Sequence, residues 1–278
     1  MQRVEIRQHW ENAAPGWAKW EQAVARWMEP VTEAMLDMAR VAPGAQVLDL
    51  ACGAGSQTLT AAQRVGPNGH VVATDIAETM LRHVRENAES AGLANVSIRA
   101  GAAEELDLDS GSFDATICRL GLMLFAEPAR ALAAVHRTLK PGGRVAVAVF
   151  TVPAANPFMA RPMQILLRHA GKAPPASGQP GIFALGSPGV LERLLATSGF
   201  EAFEQRVLPV RLPMPDAGQA LEMMQEAFGA YRAVVSQCSE AVRAAAWAEV
   251  AEMLRGFETA SGFEAPAEIL VAAGVKPS

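Results

Sequence analysis

The segment Val47-Leu48-Asp49-Leu50-Ala51-Cys52-Gly53-Ala54-Gly55 sets the architecture of this chain. Val47 to Leu50 read as a short buried strand, and a glycine loop then leads into a helix predicted over about 56–65. Working outward, Gly66-Pro67-Asn68-Gly69 is a turn before a second strand, His70 to Asp75. A second helix is predicted over about 77–91 with Gly92 as its cap, then a third strand, Val96 to Arg99. Phe113 to Cys118 form a fourth strand. A helix over about 128–139 ends at Lys140-Pro141-Gly142-Gly143, and Arg144 to Phe150 form a fifth strand, apolar on both faces. Short apolar strands alternating with helices predict an α/β fold: a mostly parallel sheet with helices on both faces.

The flanks are helical. Trp10, Trp17, Trp20 and Trp27 are spaced 7, 3 and 7, which puts them on one helical face, while Pro15-Gly16 predicts a break into two short helices. A further helix is expected over about Glu33–Arg40, ended by Pro43-Gly44. Beyond the fifth strand come a short helix (about 157–170) and a Pro/Gly-rich stretch, Lys172 to Gly181. Ser187-Pro188 reads as the start of another helix that ends at Gly199. A strand over Phe203–Leu212, helices over about 216–235 and 239–257, and a last strand over Ala267–Ala273 complete the chain. The expectation is a single domain over 1–278, with a helical lid (1–42), a ligand-binding core (43–150) and helical insertions at 151–186 and 213–260 near the acceptor.

The chemistry lies in the loop. A ligand of an open parallel sheet binds beyond the carboxyl ends of the strands, at the switch point. Gly53 and Gly55 let it approach the backbone, and the following helix offers free N–H groups. Twenty residues after Gly55 stands Asp75, placed to accept from both hydroxyls of a ribose. A dinucleotide loop wants a third glycine where this chain has Thr58. A carboxylate at Asp49 repels a pyrophosphate but suits an ammonium, such as the methionine end of S-adenosylmethionine.

The segment from Val47 to Gly55 resembles the first motif of the class I S-adenosylmethionine methyltransferases. Leu139-Lys140-Pro141-Gly142-Gly143-Arg144 is similar to that family's turn before strand five. Gly101-Ala102-Ala103-Glu104-Glu105-Leu106, with Phe113-Asp114, is similar to its third and fourth strand region. The blocks span about residues 40–150 and are closest in flavour to ubiquinone- and menaquinone-biosynthesis methyltransferases. The resemblance implies a Rossmann-like seven-stranded sheet with an antiparallel final strand. It implies S-adenosylmethionine as cofactor, with Asp49 on the ammonium and Ala51, Gly53 and Gly55 around the methionine part. It also implies Asp75 on the ribose, Ile76, Ala102 and Ala103 at the adenine, and Arg119 where the fourth strand opens onto the site. The family often has Asp where this chain has Ala102, and His where it has Met123.

Methyl transfer from a sulfonium is an in-line displacement that positioning and removal of water can accelerate. No pair of titratable residues has acid/base spacing, and His9, beside Trp10, is the candidate base. Trp17 and Trp20 are candidate lid contacts, and Met123 and Met159 candidate acceptor contacts, for a small apolar or aromatic acceptor. The competing readings are a non-catalytic S-adenosylmethionine-binding module and an NAD(P)-dependent oxidoreductase.

Composition is consistent with a small-molecule partner. A net charge of −5 with no basic run argues against nucleic acid. No apolar stretch approaches the ~18 residues of a membrane span. The polar start Met1-Gln2-Arg3-Val4-Glu5 does not read as a signal peptide. Three scattered cysteines, Cys52, Cys118 and Cys238, predict a reducing cytoplasm, and no Cys/His spacing predicts a metal site. The expected state is monomer or homodimer.

Overall fold

Two helices lead, α1 (Arg3–Lys19) and α2 (Glu21–Met38), and strands then alternate with helices. The alternation runs β1 (Gln46–Leu50), α3 (Ser56–Val65), β2 (His70–Asp75), α4 (Glu78–Ser90), β3 (Val96–Ala100), β4 (Phe113–Arg119), α5 (Pro128–Thr138), β5 (Leu139–Phe150). After it come α6 (Pro157–His169), α7 (Val190–Thr197), β6 (Glu201–Met214), α8 (Ala217–Ala227), α9 (Gly229–Val235), α10 (Glu240–Arg255), β7 (Glu258–Thr259) and β8 (Gly262–Val275). This computed structural model describes residues 3–105, 107–174 and 179–278. Leu106 and the centre of the Lys172–Gly181 stretch lie outside the described residues.

The sheet order is β3-β2-β1-β4-β5-β8-β6, with β7 paired to β8 as a short extra hairpin arm. β1 pairs in parallel with both β2 and β4, so the strand order reverses there and a crevice opens beyond its carboxyl end. β8 inserts antiparallel between β5 and β6, as the family resemblance implies. β5 lies at the centre of the core, with every residue from Gly143 to Phe150 buried. β6 is an edge strand whose only buried residues, Val210, Leu212 and Met214, alternate; Pro209 and Pro213 are compatible with that edge.

Tertiary packing moves several local boundaries. Pro15-Gly16 does not break the first helix; α1 runs through it and the chain turns at Trp20. Gly16 serves close approach instead: a Cβ there would stand 2.2 Å from the carbonyl oxygen of Glu226 on α8. The helix expected at Glu33 is the second half of α2. The four tryptophans are therefore split between two helices and the joint, and make no single stripe. Ser187 is not an N-cap, because Ser187-Pro188-Gly189 is a turn and α7 starts at Val190 behind a left-handed Gly189. The helix predicted over 216–235 divides at Phe228, whose ring packs 5.6 Å from Trp17 and 6.0 Å from Tyr231. β5 begins early, at Leu139, because the 140–143 turn exchanges backbone hydrogen bonds with Lys276 and joins the sheet.

α1 is braced on two sides. Toward the core, Glu11 accepts from the backbone N–H of Glu78 (2.7 Å) and Thr79 (3.2 Å), capping α4, whose own N-cap Ala77 has no side-chain oxygen to offer. Arg7 donates to the Ile76 carbonyl at 3.1 Å. On the other side, Lys19 pairs with Glu222 and Glu226 of α8, and the Trp20 indole donates to Glu226 at 2.6 Å. α2 instead enters the core, burying Trp27 against Phe150 and Phe158. Among the described residues, no helix is long and apolar enough to cross a membrane.

Candidate active site

β1 ends in a turn that needs unusual backbone angles. Ala51, Gly53 and Gly55 have φ of 55°, 57° and 100°, and α3 starts immediately afterwards with its first N–H groups facing the crevice. Leu120, leaving β4, has φ of 60°. Left-handed geometry at a non-glycine costs roughly 1–2 kcal/mol, and Ala51 and Leu120 both spend it on the wall of one cavity. The glycine loop, Thr74-Asp75-Ile76, the 101–104 turn, Arg119 to Gly121 and Leu124 to Glu127 build that cavity from the core side. Ile6, Trp10, Trp17, Glu21 and Val24 close it from α1 and α2.

Asp75 sits at the end of β2, 9 % exposed. Its carboxylate accepts from the Gly53 N–H at 3.0 Å and the Ala77 N–H at 2.9 Å, which ties strand two to the glycine loop. Burial pushes Asp75 up to about 6, against those backbone hydrogen bonds. Ile76, Ala102 and Ala103 follow it along the same wall.

Asp49 is placed differently from the expectation. It is fully buried behind the loop and does not line the cavity. Thr58 donates to it at 2.5 Å and Gln57 at 3.3 Å. The two residues that discriminated between ligands in the sequence thus hold each other. Burial raises Asp49 to about 6, opposed by Thr58, Gln57 and the charge of Arg119.

Arg119 ends β4 and lines the cavity half-buried. It donates to the Thr32 hydroxyl at 2.8 Å and the Ser56 hydroxyl at 2.7 Å. Burial lowers its guanidinium to about 10, with Asp49 and Glu21 acting against that. A cation held by neutral hydroxyls on a cavity wall fits an anionic ligand group.

Four expected site residues lie elsewhere. His9 packs on the N-terminus of α9, close to Gly229, and burial and then the charge of Arg232 push its imidazole below its ordinary value. Trp20 is taken up by Glu226. Met123 and Met159 are core residues, 3 % and 4 % exposed, whose carbonyls accept from the Gly181 N–H and the Tyr231 hydroxyl. None of these four lines the cavity, and neither does any described residue of 151–186 or 213–260. The described residues of these insertions reach the site indirectly, through α8 and α9 packed on α1 and Phe158 of α6 packed on Trp27 of α2. Trp17 does line it. Glu21, Ile6 and Phe125 also line it without a signal in the sequence, and so does Trp10, which belongs to the predicted tryptophan face but not to the expected contacts. Trp10 was foreseeable from its seven-residue spacing to Trp17 on one helix. Among the described residues no cluster of His, Cys, Asp or Glu could hold a metal ion.

A profile of the methyltransferase domain matches residues 42–168. Nocamycin O-methyltransferase of Saccharothrix syringae is 32% identical over 197 residues, 68% of this chain and 70% of that one. The ubiquinone/menaquinone biosynthesis C-methyltransferase of Pasteurella multocida is 38% identical over 124 residues. That match covers 44% of this chain and about half of the relative, 46%. Among solved structures, the YcgJ protein of Bacillus subtilis shares the fold, with a TM-score of 0.60 at 16% identity over 89% of this chain and 98% of that one. With two thirds of both chains matched to an O-methyltransferase at this identity and the cofactor loop intact, the chain belongs to the class I S-adenosylmethionine-dependent methyltransferases.

Proposed function

We propose that this chain transfers the methyl group of S-adenosylmethionine to a small apolar or aromatic acceptor by in-line displacement. The observation that carries this reading is a single cavity in which the glycine loop, Asp75 and Arg119 meet beneath an apolar lid. Bound S-adenosylmethionine supplies a methyl group already activated on a sulfonium. Asp75 holds the ribose hydroxyls, Ile76 and Ala103 flank the adenine, and Ala102 lies beside them. Arg119 takes the methionine carboxylate, and Ala51, Gly53 and Gly55 contact the same end through their backbone. Ile6, Trp10, Trp17, Val24, Leu124 and Phe125 exclude water and present apolar and aromatic surface to the acceptor. Trp17 is the lid residue suited to a cation–π contact with the sulfonium. The relatives named as nocamycin and ubiquinone/menaquinone methyltransferases support a small-molecule acceptor. The unpaired cysteines support a cytoplasmic setting. Assay of labelled methyl transfer across quinols, phenols, peptides and nucleic acids tests the acceptor class. Turnover is expected on the ring compounds, and turnover confined to peptides or nucleic acid overturns the reading.

Cofactor affinity has a defined pH dependence. Asp75, held up at about 6 in the free protein, accepts ribose hydroxyls best when ionised. Binding therefore lowers its pKa and releases a proton near pH 6. Affinity is full above about pH 6 and falls as the pH drops through it, by up to about tenfold per unit for one linked proton. Calorimetric titration with S-adenosylhomocysteine between pH 5 and 8 reads this, and a flat or rising affinity toward pH 5 contradicts it.

A further inference from the structure

The cavity wall carries four carboxylates: Glu21, Asp75, Glu104 and Glu127. Asp75 is committed to the Gly53 and Ala77 backbone, and Glu127 pairs with Arg130 at 2.6 Å. Glu104 lies in the turn after β3, at the end of the cavity toward the proposed adenine pocket. Glu21 alone comes from the lid, in the first turn of α2. Its Oε2 accepts from the Asn87 side chain at 2.7 Å, and the same Asn87 nitrogen reaches the Ala54 carbonyl at 3.3 Å. Glu21 is thereby held one amide away from the glycine loop. Asn87 is the single hydrogen-bond partner found for it among the described residues, and it leaves Oε1 free to meet a ligand. Burial raises its pKa, opposed by Asn87 and then by the charge of Arg119. A partly desolvated carboxylate with an unmet oxygen is stabilised by a cation brought to it.

The amino-acid end of the methyl donor carries one carboxylate and one ammonium. Arg119 matches the first. Asp49, the acid of the loop, is sealed off behind it and cannot touch the second. We propose that Glu21 recognises the ammonium of the methionine end, so that a lid residue completes the cofactor site. This assignment rests on the function proposed above, because it takes S-adenosylmethionine as the ligand.

Three ligands separate the contacts when titrated calorimetrically into wild-type protein and into Glu21→Gln. S-adenosylhomocysteine carries both charged groups, its decarboxylated analogue keeps only the ammonium, and 5′-methylthioadenosine has neither. Glu21→Gln is expected to weaken the first two about tenfold and leave the third within twofold. Arg119→Met is expected to weaken S-adenosylhomocysteine but spare the decarboxylated analogue. Unchanged affinity of Glu21→Gln for S-adenosylhomocysteine overturns the assignment. Equal loss of all three ligands also overturns it, by making Glu21 a packing residue of the lid. Reduced turnover with all affinities intact overturns it in favour of a role toward the acceptor. Wild-type protein that binds none of the three sinks the parent reading, and this one with it.

Discussion

With Asp75 replaced by alanine, the protein is expected to bind S-adenosylmethionine about a hundredfold more weakly. Hydroxyls donating to an ionised carboxylate are each worth roughly 1.5–3 kcal/mol, and losing two at the lower end of that range, about 3 kcal/mol together, weakens binding about a hundredfold. The substitution acts a second time through the protein. The Gly53 and Ala77 N–H groups lose their acceptor, so the loop and the first turn of α4 are no longer fixed to each other. Calorimetry gives the affinity, and an unchanged thermal transition in the absence of ligand shows that the fold is intact. An affinity within threefold of wild type removes Asp75 from the ribose.

The largest stability effect is expected from Phe158→Ala. Phe158 is fully buried, 6.0 Å from Trp27 and 6.1 Å from Phe263, both edge-on. It therefore joins α6 to the lid helix α2 and to β8. Truncation removes its burial and leaves a cavity that three separate elements cannot easily close, at a cost of about 3–5 kcal/mol. At about 2–4 °C per kcal/mol for a chain of this size, the melting temperature drops by some ~6–20 °C. Because the lid and the sheet share this core, the loss is expected as one cooperative transition at lower temperature. A shift under 2 °C, or a separate early melting of the N-terminal helices, contradicts it.

Sequence served well where structure is local. Val47 to Gly55 places a buried strand, a left-handed turn and a helix start within one stretch of chain, and Asp75 follows at a spacing set by the length of one helix and one turn. The parallel order and the antiparallel β8 follow from such units and from the family resemblance. It served poorly where a distant surface decides. Gly16 looked like a breaker because nothing nearby reveals that the backbone of Glu226 presses against it. Phe228 splits a helix to pack its ring on Trp17, over two hundred residues earlier. Glu21 is one acid among many on an amphipathic helix, and only Asn87 and the glycine loop beneath it distinguish it. His9 fails for the converse reason. It stands beside Trp10 in sequence, but a helix sends neighbours in different directions, and His9 faces α9 while Trp10 faces the cavity.

Asp49 gives the loop much of its recognisable character, yet its carboxylate addresses the protein. Thr58 and Gln57 close around it and lock the end of β1 to the first turn of α3. A descendant of this chain that had abandoned its nucleoside would still need an acid there to keep the turn folded. The acid in such a signature is evidence of a scaffold held ready; on the function proposed above, the residues that distinguish a working site from an empty relic are those lining the cavity, Asp75 and Arg119.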